Sequence, residues 1–169
     1  MEHKLGREKT LTMSEIMTPD MANFTGNVHG GYILGLLDKV AYACAARYSG
    51  LRMVTLSVDT VFFKEPVHVG ELVTCYACVN YVGTTSLEVG VKIIAENIQT
   101  AVKRHTNTCY FTMVAVDENF KPIPLPPLVL ETELDKWRFE EAKLRKQLRF
   151  DLQRGQEKLK SERDPKPKP

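Results

Sequence analysis

One stretch of the 169-residue chain predicts a helix that is apolar on almost every face. It runs from Gly31 to Ala46, and Asp38 is its only acidic residue. A helix that is apolar all round is normally buried, so the rest of the chain must wrap around it. A carboxylate in such a helix must find hydrogen-bond partners or water, shift its pKa, or take part in chemistry. We therefore expect a buried central helix with a functional acid near its middle.

Segments of alternating and β-branched residues surround this helix and predict an antiparallel sheet. The predicted strands are residues 10–17, 53–63, 71–82, 86–97 and 105–116. One strand, one long helix and then a run of antiparallel strands predict an α+β fold over residues 1–127. In this fold, a curved antiparallel sheet wraps around the central helix.

A different kind of sequence follows four prolines at residues 122–127, which mark the end of the domain. Residues 128–155 predict a C-terminal amphipathic helix, in which three leucines recur every fourth residue from Leu144 and Trp137 has a compatible spacing. We expect its apolar face to pack on the domain or on a partner subunit. Residues 156–169 are expected to form a disordered tail.

Charge and hydropathy argue against two classes of partner. The whole chain has a net charge of +2, which gives no general attraction to nucleic acid or membranes. The residues after 130 carry +3 and those before carry −1, and the basic side chains are expected to form a solvated face. No apolar run reaches the roughly 18 residues of a membrane span, and the charged first residues lack the apolar core of a signal peptide. We expect a cytoplasmic protein that binds neither nucleic acid nor a membrane.

The four cysteines favour a structural role. Cys75 and Cys78 have the C-x-x-C spacing but lie in a predicted strand, where residues three apart point to opposite faces. They are therefore not placed to hold a metal together or to form a disulfide. We expect reduced, buried thiols and no metal site.

The residues around the start of the helix could perform acyl transfer. Gly30 and Gly31 would present backbone N–H groups in the first turn, where the helix dipole helps them to stabilise an oxyanion. Asp38, two turns later, could activate water or attack directly. The amide of Asn23 or Asn27 could hold the water or the carbonyl. In the alternative, Asp38 is structural and bonds to backbone or pairs with a neighbouring base, Arg47 or Lys39.

The pattern Asn23-x-x-Gly26-x-x-x-Gly30-Gly31, followed by Asp38, resembles that of the hotdog-fold acyl-CoA thioesterases. The likeness is greatest to the bacterial short- and medium-chain type related to the mammalian cytosolic acyl-CoA hydrolases. It covers roughly residues 10–127 and continues at residues 54–59, 62–71, 81–86 and 109–117. The resemblance implies hydrolysis of acyl-CoA to free acid and CoA, with CoA as a product and no cofactor. It also implies dimers that pair edge to edge, three of which make a hexamer.

The resemblance implies roles for individual residues around the thioester. Asp38 would be the general base or nucleophile, and Asn23 would act across the dimer interface. Gly30 and Gly31 would line the oxyanion site. His29 beside them is expected to be structural or close to the substrate.

Other residues would contact the CoA part of the substrate by the same resemblance. Val58 would touch the pantetheine arm. Asp59, next to it in the predicted strand, either reaches the substrate site or makes a hydrogen bond at the edge of the strand. The turn Gly83, Thr84, Thr85, Ser86 would lie near the nucleotide. Many relatives have Arg in place of Thr84, so another base would have to hold the phosphates. The candidates are Lys64, Lys92, Lys103 and Arg104.

Two other functions fit the same residues. One is a non-catalytic regulator that binds acyl-CoA, which would need a detached DNA-binding segment; no helix-turn-helix pattern is evident. The other is a hotdog enoyl-CoA hydratase or dehydratase, which would need a His–acid pair.

Overall fold

The computed structural model describes residues 7–163. Within them, strands and helices follow one another in the order β1 (Thr10–Ile16), a 3-10 turn (Pro19–Met21), α1 (Gly30–Ser49), β2 (Arg52–Val58), β3 (Leu72–Val82), β4 (Ser86–Asn97), β5 (Val102–Val116) and α2 (Glu133–Arg163). The chain divides into two units between Val129 and Leu130.

The first unit contains a five-stranded antiparallel sheet in the order β1-β3-β4-β5-β2. Its pairing shifts by one residue at three places, between Thr55 and Ser57, between Val79 and Tyr81, and between Ile93 and Ile94. Extra residues of this kind bend a strand and increase its twist, which helps the sheet to curl. β2 lies at one edge of the sheet and therefore has one unpaired side within the protomer.

Helix α1 packs on one face of this sheet and contacts all five strands. Val40, Ala41 and Ala45 on its inner side are fully buried, as are the inward-facing residues of β3, β4 and β5. Gly50, at a φ of +68°, ends the helix and donates its N–H to the carbonyl of Ala46. The α+β prediction, with a curved sheet around one long helix, is confirmed.

Two strand boundaries differ from the prediction by more than one residue. β2 ends at Val58 instead of residue 63, although Asp59 still donates its N–H to the carbonyl of Tyr110. β-propensity continued to Phe63, but the bulge at Leu56 turns the chain and the regular pairing with β5 ends at Phe111. β5 begins at Val102 instead of residue 105.

The second unit is dominated by α2, which begins with a capping box. Thr132 Oγ1 accepts the N–H of Asp135, and Asp135 Oδ2 accepts the N–H groups of Glu131 and Thr132. The helix continues to Arg163, past the predicted end at Gly155, because one glycine weakens a helix without ending it and good helix formers follow. Residues 156–163 are thus helical instead of disordered, and the rest of the predicted tail, 164–169, lies outside the described residues.

The apolar face predicted for α2 is not its buried face. The buried residues of this helix are Asp135 and Ala142. The leucines and the tryptophan that defined the predicted face are more than half exposed: Trp137, Leu144, Leu148 and Leu152. Packing of this face on the domain or on a partner subunit stays a prediction. Between residues 7 and 163, no helix is both long enough and apolar enough to cross a membrane.

Candidate active site

Asp38 lies on the exposed side of α1, so the prediction that it is buried is wrong for the protomer. The helix is not covered all round. A narrow stripe that includes Gly31, Gly35, Asp38 and Tyr42 faces away from the core. Glycine in a helix interior costs about 1 kcal/mol relative to alanine. Apart from its chain neighbours and the adjacent backbone of α1, no heavy atom of the described residues lies within 4 Å of a Cβ built on Gly35. The stripe is open and lined by small residues, with the acid at its middle.

Thr55 is the hydrogen-bond partner of Asp38. Its Oγ1 donates to Asp38 Oδ1 at 2.6 Å. Thr55 lies on edge strand β2, immediately before the bulge, and the inward side of that strand also carries the buried Met53. The hydroxyl holds one carboxylate oxygen and leaves the other available. The sequence did not single out Thr55, because a threonine in a predicted strand gives no sign that its side chain faces the helix.

The Asn23 side chain organises its own loop. Its Oδ1 accepts hydrogen bonds from the N–H and hydroxyl of Thr25, at 2.8 and 2.7 Å, and from the N–H of Asn27 at 3.2 Å. Gly26 completes this tight turn at a φ of +82°. Asn23 Nδ2 has no acceptor among residues 7–163. The carboxamide is therefore held by its oxygen and has two N–H donors to offer.

The helix start offers one backbone donor instead of two. His29 is the N-cap residue, and its Nδ1 accepts the N–H of Gly31 at 2.9 Å. The expectation that Gly31 has a free N–H is therefore wrong. The N–H of Gly30 has no acceptor in the part of the chain that the structure describes. The ring of Phe63 lies 3.6 Å from where a Cβ of Gly30 would be, so an apolar wall flanks this donor.

These groups do not converge within one protomer. Gly30 and Asp38 are eight residues apart on the same helix, which at about 1.5 Å per residue is ~12 Å along its axis. A carbonyl oxygen bound at the Gly30 N–H is thus out of reach of Asp38 in the same chain. The structure brings Asp38 and Thr55 together, and it separately brings the Asn23 loop to the start of the helix through the hydrogen bond from the His29 N–H to the Met21 carbonyl.

The residues predicted to bind CoA fall into two groups. Ser86 on β4 pairs with Val114, and Val114 pairs with Val54, so the 83–86 turn lies at the end of the sheet near Thr55. Arg104 pairs with Ala95, nine residues further along β4, which is about 30 Å away. Lys64 lies near Arg104, since its N–H bonds to the carbonyl of Thr106. One protomer does not bring both groups to the same end of a CoA molecule.

The edge residues Val58 and Asp59 differ in exposure. Val58 is exposed at the end of β2, and Asp59 is half-buried, with its N–H bonded to Tyr110. Arg104 is engaged inside the protomer: its guanidinium donates to both oxygens of the buried Glu71 at 2.6 and 2.7 Å. A phosphate-binding role for Arg104 would compete with this pair.

The cysteines are buried and reduced. Cys75 belongs to the core beneath α1, whereas Cys78 lies outside the core cluster, as opposite strand faces require. Burial raises the pKa of the Cys75, Cys44 and Cys109 thiols to about 12, which suppresses the reactive thiolate. Within residues 7–163, no three His, Cys, Asp or Glu side chains are grouped so that they could hold a metal ion.

A hydrogen bond also fixes the first turn of α1 to the sheet. Tyr32 donates its hydroxyl to Glu15 Oε1 on β1 at 2.7 Å. This bond to the carboxylate, together with burial, raises the pKa of Tyr32 to about 12. The start of the helix is thus anchored to β1.

Comparison with known proteins places this chain among related sequences and folds. The family model of the Thioesterase superfamily matches residues 25–102. A Helicobacter pylori protein named VdlD is 53% identical over 139 residues, which make up 82% of this chain and 79% of that protein. The crystal structure of an apo-hexameric acyl-CoA thioesterase is 33% identical, with a TM-score of 0.81, over 85% of this chain and 92% of the other.

A second solved structure carries information on ligands. An acyl-CoA hydrolase from Staphylococcus aureus, in complex with butyryl coenzyme A, coenzyme A and coenzyme A disulfide, is 28% identical, with a TM-score of 0.78. The match covers 90% of this chain and 95% of the hydrolase. Structures of that hydrolase were also solved with alanine in place of an aspartate, a threonine and an asparagine.

Proposed function

The chain belongs to the thioesterase superfamily and is an acyl-CoA thioesterase of the hotdog fold, and we propose that two subunits complete its active site. In this proposal Asp38 of one subunit acts on a thioester whose carbonyl is held by Asn23 and Gly30 of the partner subunit. The observation that carries the proposal is the open stripe on α1, where Thr55 holds Asp38.

The separation of the groups supports a second subunit. Asp38 and the Gly30 N–H of one chain are about 12 Å apart along α1. Several large apolar side chains near the stripe, the loop and edge strand β2 are exposed in the protomer: Phe24, Tyr42, Leu56, Val58, Phe62 and Phe63. Apolar surface of this extent normally marks an interface. The unpaired edge of β2 can accept the same strand of another copy, which would bring two α1 stripes towards each other.

The spacing of the S. aureus variants supports the choice of residues. In that hydrolase the substituted aspartate follows the asparagine by fifteen residues, and the threonine follows the aspartate by seventeen. Asn23, Asp38 and Thr55 have the same two spacings in this chain. Thr55 thus joins the two residues that the sequence suggested.

The hydrogen bonds assign a task to each group. Thr55 fixes one oxygen of Asp38, so the other can take a proton from water or attack the thioester. Asn23 uses its oxygen within the loop, so its Nδ2 donates to the carbonyl oxygen instead of orienting a water molecule. Together with the Gly30 N–H it forms an oxyanion site of two donors at a helix start.

The reaction that follows is a balanced hydrolysis. With Asp38 as general base, water attacks the carbonyl carbon as its proton passes to the carboxylate, and a tetrahedral oxyanion forms between the two donors. The C–S bond then breaks, and Asp38 returns the proton to the departing thiolate of CoA. No redox or group-transfer cofactor is required, since water is the only co-substrate. His29, which caps α1, is not placed as the acid–base histidine of a hydratase.

The relatives suggest the substrate and the assembly. Because the S. aureus hydrolase was solved with butyryl coenzyme A, a short-chain acyl-CoA is the first substrate to test. Several solved neighbours are hexameric thioesterases, so we propose a hexamer built from three edge-paired dimers. The turn at residues 83–86 is the better placed of the two predicted CoA-binding groups, since it lies at the Thr55 end of the sheet. The cytoplasmic location and the absence of nucleic-acid partners stay predictions.

Replacement of Asp38 by asparagine tests the proposal, because the two side chains nearly share a shape. We expect kcat for butyryl-CoA to fall by about 10²–10⁴, the usual contribution of a general base, while the oligomer measured by light scattering is unchanged. Hydrolysis in ¹⁸O-labelled water under single turnover tests for a nucleophile. If Asp38 attacks directly and water then hydrolyses the mixed anhydride at the aspartyl carbon, the first product acid is unlabelled and the label enters the protein carboxylate, whereas a general base puts the label directly into the product acid. Wild-type turnover by Asp38→Asn would refute the assignment.

A further inference from the structure

Glu71 and Arg104 form a buried ion pair outside the reacting groups. Glu71 is only 5% exposed, so its charge must be satisfied by the protein. Arg104 Nη2 donates to both carboxylate oxygens at 2.6 and 2.7 Å, and the N–H of His68 donates to Oε2 at 2.8 Å. The pair is therefore well engaged and would be costly to break.

The same guanidinium closes the turn that connects Pro66 to Glu71. Arg104 Nη1 donates to the Pro66 carbonyl at 3.2 Å. Gly70, at a φ of +88°, donates its N–H to the Met17 carbonyl at 2.7 Å. Arg104 thus fixes both ends of the turn to strand β5.

The 66–71 turn is hydrogen-bonded to the Asn23 loop. Val28 donates its N–H to the Val67 carbonyl at 2.8 Å. His68 Nδ1 lies 2.9 Å from Asn27 Oδ1, and it must be the donor because an amide oxygen only accepts. The Asn27 carbonyl in turn accepts the N–H of Asn23 at 2.7 Å. A continuous chain of contacts therefore runs from Arg104 to Asn23.

We propose that Arg104 and Glu71 are positioning residues for thioester hydrolysis. The ion pair fixes the turn, the turn fixes the loop, and the loop aims the Asn23 amide at the carbonyl oxygen. The proposal deepens the proposed function and rests on the role that it gives to Asn23. It differs from a CoA-binding role for Arg104, which would affect CoA affinity. A positioning role affects kcat and leaves CoA affinity unchanged.

Two variants test the contact chain at different points. Arg104→Lys keeps the charge but lacks the planar fork that reaches both Glu71 oxygens and the Pro66 carbonyl. Asn27→Ala removes the contact with His68 from a half-buried loop and leaves the ion pair intact. Since small misplacements of reacting groups can cost up to about 100-fold in rate, we expect kcat for butyryl-CoA to fall about tenfold in Arg104→Lys and about fivefold in Asn27→Ala. KM and the Kd for CoA should stay within about twofold, and hydrogen exchange of residues 23–30 should accelerate.

A matched control is Arg47→Lys, because Arg47 pairs with Glu8 at an exposed site on the other end of α1. We expect its kcat to match wild type. The positioning role is overturned if Arg104→Lys keeps wild-type kcat, whether or not it weakens CoA binding. If Arg104→Lys does not fold, Glu71→Gln takes its place, because it removes the charge of Glu71 from the pair and nearly keeps the shape of the side chain. Asp38→Asn is assayed beside them: wild-type turnover there refutes the proposed function, whereas an inactive Asp38→Asn with fully active test variants refutes only the positioning role.

Discussion

The two long helices have opposite compositions, and each exposes the residues that differ from the rest of the helix. α1 is apolar, and its exposed stripe carries a single acid held by Thr55. α2 is highly charged, and its exposed side carries Leu144, Leu148 and Leu152. In each helix the residues that contrast with the rest face away from the protomer's own buried surface.

This difference shows what helix composition reveals and what it leaves open. An apolar composition correctly predicts that α1 is central, because most of its surface must leave water. It does not reveal the narrow stripe left open by the sheet. On α2 the apolar periodicity selected a face that is exposed, while Asp135 and Ala142 are buried. Periodicity finds an amphipathic helix but does not establish that the protomer covers its apolar side.

The largest effect expected from this contrast is on stability. Leu37 on α1 is 0% exposed, and Leu148 on α2 is 57% exposed. We expect Leu37→Ala to lower the free energy of unfolding by about 2–5 kcal/mol because it leaves a cavity. Leu148→Ala should lower it by less than about 0.5 kcal/mol. Urea denaturation followed by circular dichroism measures both.

A larger loss of unfolding free energy from Leu148→Ala would show that this leucine is not exposed in the assembled protein. A cost above about 1 kcal/mol is not expected for an exposed leucine. It would show that another subunit covers this side of α2 in the assembled protein. Repeating the measurement across protein concentrations identifies that case, since the stability of an obligate assembly depends on concentration.

The second prediction concerns the acid on α1. Thr55→Val keeps the shape of the side chain and removes the hydrogen bond to Asp38. Hydrogen bonds to charged groups contribute about 1.5–3 kcal/mol, so we expect kcat to fall by roughly 10–100-fold with little change in KM. Steady-state hydrolysis of butyryl-CoA measures this. Thr12→Val, on an exposed position of β1, is the matched control and should hydrolyse at the wild-type rate. Equal rates for the two variants would remove Thr55 from the site.

The sequence suggested those parts of the proposed site that local patterns can indicate. Asn23, Gly30 and Asp38 lie within sixteen residues, and their types and spacing suggested acyl transfer. Thr55 was missed because the bulge at Leu56 and the antiparallel pairing with β5 place it, and neither can be read from the residues around it. The Gly31 N–H was misassigned because capping by His29 is a side-chain event. The exposure of Asp38 was not predicted, because the sheet packs on one side of α1 and the local sequence does not show which side stays open.

The fold was predicted more fully than the site. Alternating patterns located all five strands, since the side-chain period of two is a local property. The errors occurred at ends, where β2 leaves its partner early and α2 passes Gly155. Where a strand or helix ends depends on weak residue propensities and on contacts with other parts of the fold. The local sequence does not identify those contacts.

The smallest expected effect tests whether the two helical regions are energetically separate. Asp135 is buried and accepts the N–H groups of Glu131 and Thr132, so Asp135→Ala removes this half of the capping box and keeps the half made by Thr132 Oγ1. We expect α2 to lose about 1 kcal/mol of stability, the usual cost of losing a capping interaction at a helix start. Because α2 belongs to the second unit, this loss should appear as faster hydrogen exchange in α2, while kcat stays within about twofold of wild type. Glu133→Ala is the control, since that exposed carboxylate pairs with Lys136 at the surface. If Asp135→Ala reduces kcat as strongly as Thr55→Val, α2 supports the active site, and the separation drawn between the two helices is wrong.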